Sequence, residues 1–164
     1  MATLWLIRHA KSDWNHAGLA DFERPLNARG RRDGPRMQRW LSEQPDPAHW
    51  IWSSDAARAR STAYFVAAAF AVTAPVLVPE HRLYLADPET LLDVLRETPA
   101  EETSVALVAH NPGLTDLVNL LCGGSVLDNL PTFGVARFAV ERAWLDLQFG
   151  ALAAPRIMVP KQLE

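Results

Sequence analysis

The stretch Thr3-Leu4-Trp5-Leu6-Ile7-Arg8-His9-Ala10-Lys11-Ser12 decides the fold of this chain. Its apolar run has the length and composition of a short buried strand. The run ends in Arg8 and His9, and burying such groups without a partner is costly. Open α/β sheets bind their ligands at the carboxyl ends of their strands. The stretch therefore predicts a buried strand that delivers a cation and an imidazole to a ligand-binding edge.

The rest of the chain alternates between strand and helix patterns. Strands are predicted at residues 3–8, 50–53, 76–78 and 104–109, and helices at 27–43, 56–70, 87–96 and 114–121. Two antiparallel strands at 135–141 and 144–149 and a last strand at 156–159 follow. The alternation predicts an α/β fold with a mostly parallel sheet between two helix layers. With no internal repeat or linker, residues 1–164 are expected to form one domain.

Local signals mark the starts of two helices. Asn27 is a plausible N-cap of the first helix, and Ser54-Asp55 is expected to cap the second. Pro35 conflicts with an uninterrupted first helix, because proline belongs in a first turn or at a kink. The helix is expected either to begin near Asp33 or to bend at Pro35.

Composition excludes several function classes. A net charge of −3 offers no global basic field for nucleic acid. The single cysteine, Cys122, allows no intrachain disulfide and fits a reducing compartment. The longest apolar stretch, residues 63–78, falls short of the ~20 residues that cross a bilayer, and no basic leader precedes the first strand. We expect a cytoplasmic protein that binds neither nucleic acid nor membranes.

Four chemically active side chains lie at predicted strand ends. Arg8 and His9 end the first strand, His110 follows the strand at 104–109, and Arg58 lies early in the helix after the strand at 50–53. Each of them alone has an ordinary structural explanation, as a solvated, capping or core residue. If the three strands are parallel neighbours, all four side chains meet at one sheet edge, where helix N-termini also favour anions.

This group of side chains suits phosphoryl transfer. A neutral imidazole can attack phosphorus and form a phosphohistidine intermediate. Guanidinium groups match the charge that spreads over the equatorial oxygens, and a second histidine can hydrogen-bond to those oxygens. A carboxylic acid would protonate the leaving group. Neither a metal ion nor another cofactor is required.

Three segments resemble the motifs of the histidine phosphatase superfamily, which includes the cofactor-dependent phosphoglycerate mutases. They are Arg8-His9-Ala10-Lys11-Ser12-Asp13-Trp14-Asn15, Ser54-Asp55-Ala56-Ala57-Arg58-Ala59-Arg60-Ser61-Thr62 and Val108-Ala109-His110-Asn111-Pro112. Three further segments, at 22–30, 83–89 and 110–113, resemble the SixA-type phosphohistidine phosphatases. The resemblance covers about residues 3–135 and implies a phosphoglycerate mutase-like fold.

The resemblance implies a role for each matching residue. His9 would be the phosphorylated nucleophile, and Arg8, Arg58 and His110 would complete the phosphate pocket. Asn15 and Ser12 would add phosphate contacts. Two positions depart from the superfamily pattern: Ala10 replaces the usual glycine, and Asp55 replaces a proline.

The general acid is open at this point. Glu80 follows the third strand, where the wider superfamily usually places its acid. Asp13, Asp21 and Glu23 are alternatives. A phosphoramidate has a nitrogen leaving group that water can protonate, so a dedicated acid is less critical.

The segment between Glu80 and Thr103 bears on the substrate. It has room for one helix and its turns, so no lid is predicted over the pocket. An open pocket suits phosphohistidine presented by a protein such as a histidine phosphotransfer domain. The leading prediction is therefore a metal-independent phosphohistidine phosphatase. The alternatives are a phosphatase of small phosphomonoesters with the same fold, and a non-catalytic module that binds phosphoproteins.

Overall fold

The computed structural model describes residues 1–164 and places the first strand inside a six-stranded sheet. The strand order is β3-β2-β4-β1-β5-β6. The strands are β1 (Ala2–Arg8), β2 (Trp50–Ser53), β3 (Val76–Pro79), β4 (Ser104–Ala109), β5 (Val135–Val140) and β6 (Arg156–Met158). β1 through β4 run parallel to one another, and β5 runs against both of its neighbours. The predicted mostly parallel sheet is confirmed.

Helices cover both faces of the sheet. They are α1 (Ala28–Ser42), α2 (Ala57–Ala69), α3 (Pro88–Arg96) and α4 (Gly113–Cys122). Side chains of a strand alternate between its two faces. Trp5 and Ile7 of β1 therefore join the core beneath α1 and α2, while Leu4 and Leu6 join the core beneath α3 and α4. This three-layer α/β/α arrangement is the predicted one. None of the helices combines the length and the apolar character needed to cross a membrane.

The first helix begins where its cap predicts and continues past its proline. The Asn27 side chain accepts a hydrogen bond from the Gly30 N–H at 2.9 Å. The helix then runs through Pro35 to Ser42, so a start near Asp33 is wrong. Met37 and Leu41 are fully buried on its inner face. Their burial helps to offset the backbone hydrogen bond that a proline removes.

The predicted cap of the second helix is wrong. α2 begins at Ala57, and its N-cap residue is Ala56, which has no side chain able to cap. The Ser54 hydroxyl accepts from the Ala56 N–H at 3.3 Å, before the helix begins, and forms a 2.7 Å hydrogen bond with His110. The Asp55 carboxylate lies 3.0 Å from His81. Both polar side chains therefore have tertiary partners, and neither is the N-cap of α2.

The predicted strand at 144–149 is also wrong. Residues Trp144–Asp146 form a short 3₁₀ turn, and β5 pairs with β6 in its place. Trp144 is buried, and its indole N–H donates to the Glu102 carbonyl at 2.8 Å. The buried indole holds this turn against the core.

The strand register determines where the site forms. Arg8 at the end of β1 lies opposite Ala109 at the end of β4, and Ser53 of β2 lies opposite Val108. The carboxyl ends of β2, β4 and β1 therefore meet side by side. His9, His110 and the start of α2 follow these three strand ends directly.

Candidate active site

The two histidines face each other across the β1–β4 seam. The His9 N–H donates to the Ala109 carbonyl at 3.1 Å, so the residue after β1 is held beside the end of β4. The imidazole centroids of His9 and His110 are 5.1 Å apart. Both residues are buried, with 7% of His9 and 2% of His110 exposed. This is the meeting of side chains that the strand ends predict.

One hydrogen bond sets the tautomer of His9. Its Nδ1 lies 2.7 Å from the Ala10 carbonyl oxygen, which can only accept. Nδ1 therefore carries the proton, and Nε2 keeps its lone pair. Burial lowers the pKa of His9 to about 3, and the charges of Arg58, Arg8 and Arg24 act in the same direction. The ring is neutral at pH 7, as a nucleophile requires.

His110 is held by the residue that follows β2. Its Nε2 lies 2.7 Å from the Ser54 hydroxyl, while its Nδ1 is buried without a hydrogen-bond partner. Burial lowers the pKa of His110 to about 2, and nearby His9 and Arg58 add to the effect. A second neutral imidazole therefore lies beside the first.

Three arginines surround the histidines. Arg58 is 2% exposed and donates to Asp21 twice, to the backbone carbonyl at 2.7 Å and to the carboxylate at 3.0 Å. Arg8 donates to the Leu130 carbonyl at 3.0 Å. Arg24 donates to the Ser12 hydroxyl at 2.7 Å. Three guanidinium groups at one sheet edge form a strong site for an anion with several oxygens.

Asp21 is the carboxylate that lies among these arginines. It accepts hydrogen bonds from Arg24 and Arg58, each at 3.0 Å, and from the Tyr84 hydroxyl. Burial alone would raise the pKa of Asp21, but these hydrogen bonds outweigh it and lower the pKa to about 2. Asp21 is therefore ionised and orients the guanidinium groups of Arg24 and Arg58.

These groups line one pocket with a volume of about 230 Å³. Among the predicted site residues, it contains Arg8, His9, Ser12, Arg58 and His110. Arg24 and Asp21 also line it. Buried nitrogens without hydrogen-bond partners occur in Arg8 (Nε), Arg58 (Nε) and His110 (Nδ1). Unpaired buried donors are costly unless a ligand satisfies them, which favours an anion-binding role for the pocket.

Two predicted residues do not reach the pocket. Glu80 caps the 3₁₀ turn His81–Leu83, where it accepts from the Arg82 N–H at 3.0 Å and from the Arg82 guanidinium at 2.9 Å. These hydrogen bonds lower the pKa of Glu80, which does not suit a proton donor. Asn15 is exposed, and its N–H donates to the Asp13 carboxylate at 2.7 Å. The alternative acids Asp13 and Glu23 also lie outside the pocket lining.

The sequence reasoning missed several residues that build the site. Arg24 lies within the segment at 22–30, and Tyr84 lies within the segment at 83–89. Both segments resemble SixA-type phosphatases, but the resemblance assigned no role to either residue. Thr62 links two site residues, because its hydroxyl accepts from the Ala10 N–H and donates to the Arg58 carbonyl, both at 2.8 Å. No spacing rule signals this bond, since the two segments meet only in the folded chain.

The pocket can bind a tetrahedral anion and present an unprotonated Nε2 to its central atom. No group of three or more His, Cys, Asp or Glu side chains is arranged to hold a metal ion. The positive charge that the pocket offers an anion comes from arginine side chains and Lys11.

Comparison with known proteins gives a family match and a relative of similar length. Residues 4–81 match the model of the histidine phosphatase superfamily, branch 1. The uncharacterised protein Rv1276c of Mycobacterium tuberculosis is 30% identical, and the alignment covers 94% of this chain and all of that protein. Both sequences are therefore similar over essentially their whole lengths.

Several solved structures share the fold. A protein assigned as the phosphohistidine phosphatase SixA of Agrobacterium tumefaciens is 30% identical, with a TM-score of 0.77 over 84% of this chain and 90% of that one. The protein histidine phosphatase SixA in complex with tungstate has a TM-score of 0.80 over 99% of both chains at 21% identity. A phosphoglycerate mutase of Bacillus anthracis matches with a TM-score of 0.60 over 84% of this chain and 87% of that one at 16% identity. The predicted phosphoglycerate mutase-like fold is therefore confirmed.

Proposed function

This chain belongs to the histidine phosphatase superfamily, within its SixA-type branch, and we propose that it removes phosphate from phosphohistidine on a protein. The observation that carries the proposal is the state of His9. Its Nδ1–H donates to the Ala10 carbonyl, and its unprotonated Nε2 lies in a pocket with three arginines. The proposal is supported because an unprotonated imidazole nitrogen and three cations suited to phosphoryl oxygens line the same pocket.

In the first step, Nε2 of His9 attacks phosphorus. A new nitrogen–phosphorus bond forms on His9 as the bond to the substrate imidazole breaks. Arg8, Arg24 and Arg58 stabilise the charge on the equatorial oxygens, since guanidinium groups bind such oxygens strongly. The departing imidazole nitrogen takes a proton from water at the open mouth of the pocket.

In the second step, water attacks the phosphoryl group on His9 and releases one proton to the solvent, which balances the proton taken from water in the first step. The bond from Nε2 to phosphorus breaks, inorganic phosphate leaves, and His9 returns to its starting tautomer. The hydrogen bond to Ala10 persists through both steps, so the imidazole does not need to reorient. His110 lies on the opposite side of the site and hydrogen-bonds to the phosphoryl oxygens.

The shape of the mouth supports a protein substrate. Trp14 and Leu85 line the pocket yet are 72% and 55% exposed, so apolar surface borders the phosphate site. The chain between Glu80 and Thr103 adds one 3₁₀ turn and α3, with no further insertion. A phosphohistidine on the surface of a phosphotransfer domain could enter such a mouth without a closing lid.

A single-turnover assay tests the proposal. The substrate is a histidine phosphotransfer domain that has been phosphorylated chemically with phosphoramidate. The wild-type protein should release phosphate and form an acid-labile phosphoenzyme, both in the presence of EDTA. His9→Ala should lose the phosphoenzyme and at least about a thousandfold in rate. His49→Ala is the matched control, because His49 is exposed and precedes β2 at the other sheet edge.

Two results would contradict the proposal. Turnover of sugar phosphates with no action on the phosphorylated domain would indicate a phosphatase of small metabolites. Full activity in His9→Ala would exclude His9 as the nucleophile.

A further inference from the structure

Helix α1 has a charge distribution unlike that of the whole chain. Its fifteen residues include five arginines and one aspartate, whereas the chain has a net charge of −3. Arg29, Arg32, Arg36 and Arg39 follow one another at intervals of three or four residues. This spacing places side chains on one face of a helix. All four are exposed, and we refer to them as the arginine stripe.

Most of the arginine stripe has no acidic partner. Arg29 lies 3.5 Å from Asp33, but Arg32, Arg36 and Arg39 form no ion pair. Arg82 is paired with Glu80 and Glu97, and Arg137 with Asp46. The exposed arginines without an ion pair elsewhere, Arg60, Arg142 and Arg156, are single residues in separate parts of the chain. Among the helices, α1 alone thus carries three unpaired arginines along one face.

The arginine stripe starts beside the candidate active site. The Asn27 N–H, at the start of α1, donates to the carbonyl of the pocket residue Lys11 at 3.0 Å. Arg29 lines a depression that also contains Lys11 and Trp14. At 1.5 Å per residue, the ten helical steps from Arg29 to Arg39 extend the stripe roughly 15 Å from the mouth.

The mouth itself has features of a protein-binding surface. The exposed ring of Trp14 is held by the Arg24 guanidinium, which lies 3.4 Å from the ring centroid. Exposed aromatic side chains that are held in place often anchor protein interfaces. An interface of ordinary size, about 800 Å² on each partner, would cover both Trp14 and the start of the arginine stripe.

We propose that the arginine stripe docks an acidic surface of the phosphorylated protein, next to the phosphohistidine that enters the pocket. This inference rests on the proposed function and adds the chemistry of the partner. An acidic protein fits better than nucleic acid, because the basic charge is confined to one stripe on a chain with a pI of about 5.9. Nucleic-acid-binding domains usually carry a broad basic field.

Two phosphopeptides test the docking surface. Both contain one phosphohistidine, formed with phosphoramidate, and differ only in a flanking run of glutamates or glutamines. Free phosphohistidine is the third substrate. The test variant is Arg32→Glu/Arg36→Glu. The matched control is Arg142→Glu/Arg156→Glu, which makes the same charge change at two exposed, unpaired arginines in the β5–β6 part of the chain.

The test variant should lower kcat/KM for the glutamate peptide about tenfold, mainly through KM. Its kcat/KM for the glutamine peptide and for free phosphohistidine should equal that of the wild type, since it leaves the pocket intact. The control variant should match the wild type on all three substrates. High salt should remove the wild-type preference for the glutamate peptide, because it screens exposed charges.

A binding assay separates failure of the docking inference from failure of the proposed function. The fluorescent, unphosphorylated glutamate peptide should bind the wild type and lose affinity for the test variant, as measured by anisotropy. If no phosphohistidine substrate turns over, the proposed function is wrong, and this assay still tests the stripe. Equal behaviour of the wild type and the test variant in both assays would overturn the docking inference. Tighter binding of a duplex oligonucleotide than of the glutamate peptide would overturn the choice of partner.

Discussion

Asp21 connects three parts of the candidate active site through its carboxylate. It accepts hydrogen bonds from Arg24 in its own segment, from Arg58 at the start of α2 and from Tyr84 after β3. Since Arg58 is 2% exposed, its charge needs a nearby partner to remain buried at acceptable cost. We interpret Asp21 as the residue that positions Arg58 for the phosphoryl group.

Replacing Asp21 with Asn should therefore weaken both folding and activity. Asn keeps the size of the side chain but removes the charge opposite Arg58. We expect the free energy of unfolding to fall by about 1–2 kcal/mol, a value reduced for the partial exposure of Asp21, and kcat/KM to fall at least tenfold. Urea denaturation and phosphatase assays measure the two effects.

Added phosphate provides the control for this variant. A bound phosphate can replace the lost charge, so it should stabilise Asp21→Asn more than the wild type in urea denaturation. An equal phosphate effect on both proteins would show that Asp21 does not offset the charge of Arg58.

Arg24 provides a second test at the scale of the residue. It is 7% exposed, and its guanidinium lies between Ser12 and Asp21 in the pocket. Arg24→Gln should weaken competitive inhibition by vanadate about tenfold, because one charged hydrogen-bond donor to the anion is lost. Arg60→Gln, at an exposed position of α2, is the matched control. Equal inhibition of all three proteins would exclude Arg24 from the anion site.

At the scale of the element, the first turn of α1 supports the loop that carries the site. A Cβ atom added to Gly30 would lie 2.2 Å from the Lys11 carbonyl oxygen. That carbonyl also accepts the Asn27 N–H. The helix can approach the loop this closely only because residue 30 lacks a side chain.

Gly30→Ala should consequently push the loop away from α1. Alanine favours helices by up to about 1 kcal/mol, but overpacking usually costs about 1–3 kcal/mol. We expect a net loss of stability and a lower kcat/KM, measured by thermal denaturation and phosphatase assay. Gly124→Ala is the control, because no atom lies within 4 Å of its added Cβ. A stabilised, fully active Gly30→Ala would contradict the close approach.

At the scale of the whole molecule, the two buried histidines couple folding to pH. Folding lowers the pKa of His9 from 6.5 to about 3 and that of His110 from 6.5 to about 2. The unfolded chain therefore binds more protons than the folded chain once the pH falls below 6.5. Protonation then favours unfolding. The free energy of unfolding is therefore highest above pH 6.5 and declines towards pH 3.

Urea denaturation at a series of pH values measures this decline. The free energy of unfolding should be constant above pH 7 and should fall steadily from pH 6.5 to about pH 4. His9→Gln/His110→Gln should show a much flatter profile over this range, whereas the exposed control His49→Gln should retain the wild-type slope. A double variant with the wild-type slope would assign the pH dependence to other groups.

The strands and helices that surround the site were predictable because their signals are local. β1 and β4 are apolar runs that end at a histidine, and α1 has a capping asparagine and an apolar face. The local prediction was wrong where a side chain contacts a residue far away in the sequence. A strand was predicted at Trp144, whose indole is buried and donates to Glu102. A helix cap was predicted at Ser54, whose hydroxyl bonds to His110.

By itself, the sequence determined the α/β alternation and the placing of Arg8, His9 and His110 at strand ends, since hydrophobic periodicity and chain order need no distant contact. Only the tertiary structure decided which carboxylate joins them. Asp21 lies among the arginines of the pocket, whereas Glu80 is hydrogen-bonded to Arg82. Nothing in the sequence alone distinguishes these two carboxylates. Hydrogen-bond partners and burial arise from segments that are far apart in the chain, so no local pattern contains them.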